Sequence, residues 1–139
     1  MNTAGHPGNW FAESIKDRTQ FYFRKRLNYL HPAGTRWHYD SPGSQVLCAL
    51  VEKVTGKNFL AYMQDRLFCH IDAFQNARML KVGNGDSWGD SAMLCSSRDF
   101  AKFALFVMRL GNWNGKQILN ISFAQGYRRC CVSMYAERP

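Results

Sequence analysis

The chain has 139 residues, a formal net charge of +8, and is 46% hydrophobic and 14% aromatic. That length and composition suit one globular domain and exclude an intrinsically disordered chain, which lacks the apolar area to offset the entropy of ordering. No run approaches the roughly 18 apolar residues of a membrane span, and the first residues, Met1-Asn2-Thr3-Ala4-Gly5-His6, have neither the basic start nor the apolar run of a signal peptide. The compartment is left open, with the cytoplasm as the default.

Residues 1–12, with Gly5, Pro7 and Gly8, read as loop. From Glu13 to Tyr29 a helix is expected, with Ile15, Phe21, Phe23 and Leu27 on its apolar side. His31-Pro32-Ala33-Gly34 is a turn that feeds an extended Thr35 to Tyr39. The next helix has the clearest signals. Ser41 can cap it and Pro42 suits its first position. Val46, Leu47, Leu50, Val51 and Val54 recur at three-to-four spacing, and Gly56 supplies a left-handed stop. Asn58 can cap a following helix in which Phe59, Met63 and Leu67 stack and whose buried face should pack on the helix before it.

Residues 69–90 hold Gly83, Asn84, Gly85 and Gly89 around the short apolar piece Met79-Leu80, so they read as loop with one or two short strands. Ser96-Ser97-Arg98-Asp99 resembles a capping box ahead of the stripe Phe100, Phe103, Ala104, Val107 and Met108. Gly111 ends that helix, Asn114-Gly115 signals a turn, and Lys116 to Leu119 is short and extended. From Asn120 onward no periodicity stands out.

The cysteines number five, with no Cys-x-x-Cys pair, so a disulfide framework is not expected. Cys48 and Cys95 lie in apolar runs, where Cys acts as a small hydrophobe. The histidines lack i, i+4 pairing, and there is neither a phosphate-binding loop nor a dinucleotide fingerprint, so no metal or cofactor is expected. Arg24-Lys25-Arg26 beside Phe21, Tyr22 and Phe23 is the densest basic cluster. It could meet phosphate, yet a solvated helix face is the simpler reading and no nucleic-acid partner is expected. Gly85-Asp86-Ser87-Trp88-Gly89 spells the nucleophile elbow of α/β-hydrolases, but His6, His31, His38 and His70 all precede Ser87, whereas that fold places its His after the Ser.

One pattern runs the length of the chain. Tyr39-Asp40-Ser41 opens the helix ending in Val54-Thr55-Gly56, followed by Phe59, Tyr62 and Leu67-Phe68. Then come Trp88-Gly89-Asp90-Ser91-Ala92, Met93-Leu94, the stretch from Ser96 to Phe103, and the connection from Gly111 to Leu119. Met1 to Gly5 adds to the pattern, with Ala4 in a position usually held by Ser. Over roughly residues 1–120 this series resembles the serine hydrolases built on the β-lactamase and penicillin-binding-protein plan.

The resemblance implies a fold that is mainly α with short strands, the helical part of the α/β (α+β) β-lactamase/transpeptidase-like fold, truncated at both ends. Residues 1–120 would be a partial domain and residues 121–139 a divergent, disordered tail. It also implies an acyl-enzyme mechanism on a small-molecule amide or ester. In the complete relative a Ser activated by Lys attacks the carbonyl, Tyr39 relays the proton, and Ser41 contacts that Lys and the substrate. No Ser here is followed by Lys at the third position, as the family's nucleophile requires. Lys81-Val82-Gly83 imitates the family's Lys-Thr-Gly strand but precedes the Asp99 helix instead of following it. The chain alone is therefore expected to be inactive. The alternatives are a non-catalytic binding module of the same fold, an esterase using Ser87, and a basic nucleic-acid binder. Oligomeric state is not set by the sequence.

Overall fold

The computed structural model describes residues 16–25 and 39–126. They belong to two compact units, Met1–Tyr62 with Arg78–Leu94, and Met63–Ala77 with Cys95–Pro139.

In the first unit, α1 is Arg18–Lys25. Asp17 starts it, its Oδ1 accepting from the Gln20 N–H at 2.8 Å. The expected outer turns at 13–15 and 26–29 lie outside the described residues, as do Ile15 and Leu27. The inward face differs from expectation: Tyr22 and Arg18 are buried, while Phe23 is 59% exposed. Residues 18 and 22 share a face at i, i+4. Arg18 can sink because its guanidinium lies over the Trp88 ring, 4.8 Å from the centroid.

Helix α2 is Ser41–Thr55, starting one residue earlier than the sequence suggested and ending where it did. Gly56 ends it at φ 66°, where any other residue would be strained, and its N–H bonds the Glu52 carbonyl. Its cap corrects one expectation: Asp40, not Ser41, is the N-cap, and Pro42 takes the second helical position. Its burial corrects another. Pro42, Gly43, Gln45 and Cys48 are buried, while Leu47, Leu50 and Val54 are 52%, 53% and 76% exposed. At 100° per residue, positions 41, 45, 48 and 52 form one stripe and positions 47, 50 and 54 lie nearly opposite.

Residues 78–94 form a hairpin. Strands β1, Arg78–Met79, and β2, Met93–Leu94, pair antiparallel with Arg78 opposite Leu94 and Met79 opposite Met93. A bridge between Lys81 and Ser87 continues the ladder. Its tip is closed by the Val82 N–H to the Asp86 carbonyl at 2.9 Å, so Lys81-Val82-Gly83 belongs to a hairpin turn.

Helix α3, Phe59–Met63, is capped by Asn58 as expected, its Oδ1 accepting from the Leu60 N–H at 3.1 Å. None of its residues is buried, so the expected apolar packing on α2 is not what anchors it; a carboxylate contact described below does. The helix runs on through a π-helical turn, Gln64–Phe68, in which the Cys69 N–H reaches the Gln64 carbonyl, into α4, Cys69–Ile71.

Those last turns supply the core of the second unit. Phe68, Ile71 and Phe74 are buried together with Phe106. The Phe68 and Phe74 rings stand 4.3 Å apart, and Phe74 meets Phe103 edge-on at 6.1 Å. Helix α5, Ser97–Met108, begins with the expected cap: Ser96 Oγ accepts from the Asp99 N–H at 3.1 Å and donates to the Asp99 carboxylate at 2.6 Å. Its inner anchor is Phe106 at 0% exposure, whereas Phe100 and Met108 of the expected stripe are 60% and 74% exposed. Strands β3, Asn112–Trp113, and β4, Lys116–Gln117, then form the hairpin that Asn114-Gly115 announces. Both turn residues have positive φ, 50° and 82°, the geometry of a two-residue hairpin turn.

Residues 121–126 are helical, started by Asn120, whose Oδ1 accepts from the Ser122 N–H at 2.9 Å. The expected tail thus begins with a helical turn, because an Asn can cap a turn even where periodicity is absent. Residues 127–139 lie outside the described residues. No helix among the described residues is long and apolar enough to cross a membrane.

Candidate active site

The first turn of α2 carries both residues singled out by sequence. Tyr39 precedes the cap and is 66% exposed. Asp40, 4% exposed, turns inward and accepts the Gly43 N–H through Oδ1 at 2.9 Å. Its backbone carbonyl takes the Ser44 N–H at 3.3 Å. These bonds hold the cap in place, so the residues on either side of it are set at the helix mouth: Tyr39 toward solvent and Ser41, half-buried, as the first helical residue.

Below the mouth, the inner stripe of α2 grips the hairpin loop. Gln45 is fully buried and reads the loop backbone at two points: its Nε2 donates to the Ser87 carbonyl at 2.9 Å and its Oε1 accepts the Gly89 N–H at 2.7 Å. Cys48 lies one turn on. A Cβ on Gly89 would fall 2.2 Å from the Cys48 Cβ, so only glycine lets the loop come this close. Glu52 completes the grip. Its Oε1 accepts from the Ser87 hydroxyl at 2.6 Å and the Phe59 N–H at 2.8 Å, and its Oε2 accepts from the Ser87 N–H at 3.1 Å. Asn58 Nδ2 donates to the Ser87 Oγ at 2.9 Å.

The electrostatics follow from these contacts. Burial pushes the Glu52 carboxyl upward, but hydrogen bonds from the Ser87 hydroxyl and from the Phe59 and Ser87 amides outweigh it, with Lys81 assisting, and hold the group below its ordinary range. Burial first, then the charges of Glu52 and Asp86, push the Cys48 thiol up to about 12. Cys48 thus behaves as the small hydrophobe expected, whereas Cys95 is exposed. Cys48, Cys69 and Cys95 are all free thiols.

Ser87 is not arranged as a nucleophile elbow. It is 1% exposed, it sits in a hairpin, and its hydroxyl proton is committed to a carboxylate. Of the side chains that organise this region, Asp40, Gln45 and Glu52 were missed by sequence reasoning, and Asn58 was read as a cap without its bond to Ser87. The available signal was a line of polar or small residues at 41, 45, 48 and 52 along an otherwise apolar helix, which marks a face that binds backbone.

A model of the Beta-lactamase family matches residues 2–72, just over half of the chain. The chain belongs to the beta-lactamase family. Its fold is also similar to that of a Bacillus anthracis protein named as a candidate 6-aminohexanoate-dimer hydrolase, with a TM-score of 0.68 at 20% sequence identity. The match covers 89% of this chain and 36% of that one, so this chain spans about a third of the neighbour's length. The helices and short strands described above are thus the helical part of the β-lactamase fold of serine hydrolases.

Proposed function

We propose that this chain carries the Tyr and Ser side of a β-lactamase-type acyl-transfer site and that it turns nothing over without the Ser-x-x-Lys and Lys-Thr-Gly or His-x-Gly elements. The observation that carries this reading is the exposure of Tyr39 beside a tightly capped helix mouth. A ring exposed at the surface can be reached by groups brought from outside, whereas one sealed in a core cannot. Ser41 would contact the activating Lys and the substrate carbonyl. The substrate class is a small amide or ester. The name of the Bacillus anthracis neighbour, a candidate 6-aminohexanoate-dimer hydrolase, supports that class.

In the assembled site a Lys-activated Ser would attack the carbonyl, Tyr39 would accept the hydroxyl proton and return it to the departing amine or alkoxide, and water would release the acyl group. The test joins this chain to the segments of the Bacillus anthracis protein that it does not match, and measures acylation by a fluorescent penicillin or fluorophosphonate. Acylation that falls about a hundredfold or more on Tyr39→Phe supports the assignment. Equal acylation of the two proteins overturns it. Burst acylation of the unjoined chain overturns the predicted inactivity.

A further inference from the structure

The first unit contains a cleft of about 500 Å³ with no part in the chemistry proposed above. It is walled by Asp17, Gln20 and Phe23 of the α1 region, Ala49 and Lys53 of α2, and Asp86 of the hairpin tip. A space of this size falls within the range of small-molecule sites. The chain carries a net charge of +8, yet this cleft gathers Asp17, Asp86 and the Glu52 carboxylate against the single ammonium of Lys53. That local reversal of sign favours a cation.

The carboxylates are not equally available. Glu52 is committed to Ser87 and Phe59. Asp17 uses Oδ1 to accept the Gln20 N–H, and Asp86 uses Oδ2 to accept from Asn84 Nδ2 at 2.7 Å, which leaves each with a second oxygen for a ligand. No group of three or more His, Cys, Asp or Glu among the described residues is placed to hold a metal ion. The acids are spread around a space too wide for a bare ion, and the Phe23 ring, 59% exposed, offers an aromatic face beside them.

We infer that this cleft binds a small organic ammonium with an apolar stem, the stem against Phe23 and Ala49 and the cationic head between Asp17 and Asp86.

The test follows the backbone amides of the full chain by NMR during titration with hexylammonium, and repeats it with hexanol, which keeps the stem, and with hexanoate, which reverses the charge. Hexylammonium is expected to shift amides of residues 17–23, 49–53 and 84–86 saturably, with affinity on the order of millimolar, and hexanol and hexanoate are expected to leave them in place. Asp17→Asn with Asp86→Asn keeps both local acceptors while removing both charges, and is expected to weaken binding about threefold to tenfold. The inference is overturned if hexanol produces the same shifts, if hexylammonium shifts fail to saturate, or if the double variant binds as tightly as the original chain. Because the readout is binding, it is independent of acylation.

Discussion

Replacing Glu52 by Gln removes one negative charge and turns one of two acceptor oxygens into a donor. In the native chain that carboxylate receives three hydrogen bonds, from the Ser87 hydroxyl, the Phe59 N–H and the Ser87 N–H. The amide oxygen of Gln can keep the first two, but its NH2 group then faces the Ser87 N–H. A buried donor is left unpaired, which costs about 1–3 kcal/mol, and the bonds that remain lose their charge assistance. Glu52→Gln is therefore expected to lower stability at about pH 7 by roughly 2–3 kcal/mol, read from urea unfolding followed by circular dichroism.

The pH dependence has a definite sign. The folded carboxyl is held below its ordinary value of 4.5, so its contribution is present above that value and is lost as pH falls through the lower folded one. The difference between the native chain and Glu52→Gln should narrow as pH drops below about 4.5. Equal urea midpoints at neutral pH would refute the hydrogen-bond argument, and a gap that persists undiminished at about pH 3 would refute the titration argument.

Three further outcomes are expected. Asp40→Ala should destabilise the chain by about 1–2 kcal/mol, the usual effect of losing a cap, while Ser41→Ala should stay within about 0.5 kcal/mol; thermal melts distinguish the two. Gly89→Ala should be destabilising by about 1–3 kcal/mol because its Cβ meets the Cys48 side chain, and adding Cys48→Ala should recover less than half, since the closer clash is with the Cβ that alanine retains. Iodoacetamide at neutral pH with peptide mapping should label the exposed Cys69 and Cys95 and spare Cys48, whose thiol is held protonated by burial and neighbouring carboxylates.

Much of the chain's local structure was legible because the signals are short-range. The span of α2, the left-handed Gly56, the caps at Asn58 and Ser96, and the Asn114-Gly115 hairpin each depend on the conformational preferences of one or two residues. Burial was less legible. Periodicity shows that Leu47, Leu50 and Val54 share a face, but not which partner would cover it. The face that α2 turns into its own unit is a polar one, because the hairpin loop presents backbone groups and Gln45 and Glu52 satisfy them. The same limit applies to α5, where Phe106 outranks Phe100 and Met108. Tyr39 and Ser41 could be singled out from motif spelling alone. Asp40, which sets them in place, could not, since its contribution depends on a cap geometry that Ser41 could equally have supplied.

The most direct test of the account treats the full chain with an excess of a fluorophosphonate and reads the product by intact mass and peptide mapping. The account predicts no serine adduct, because the nucleophile of this family is a Ser with Lys at the third following position and Ser87 is sealed against Glu52. Rapid, stoichiometric modification of Ser87, Ser41 or any other serine would contradict it.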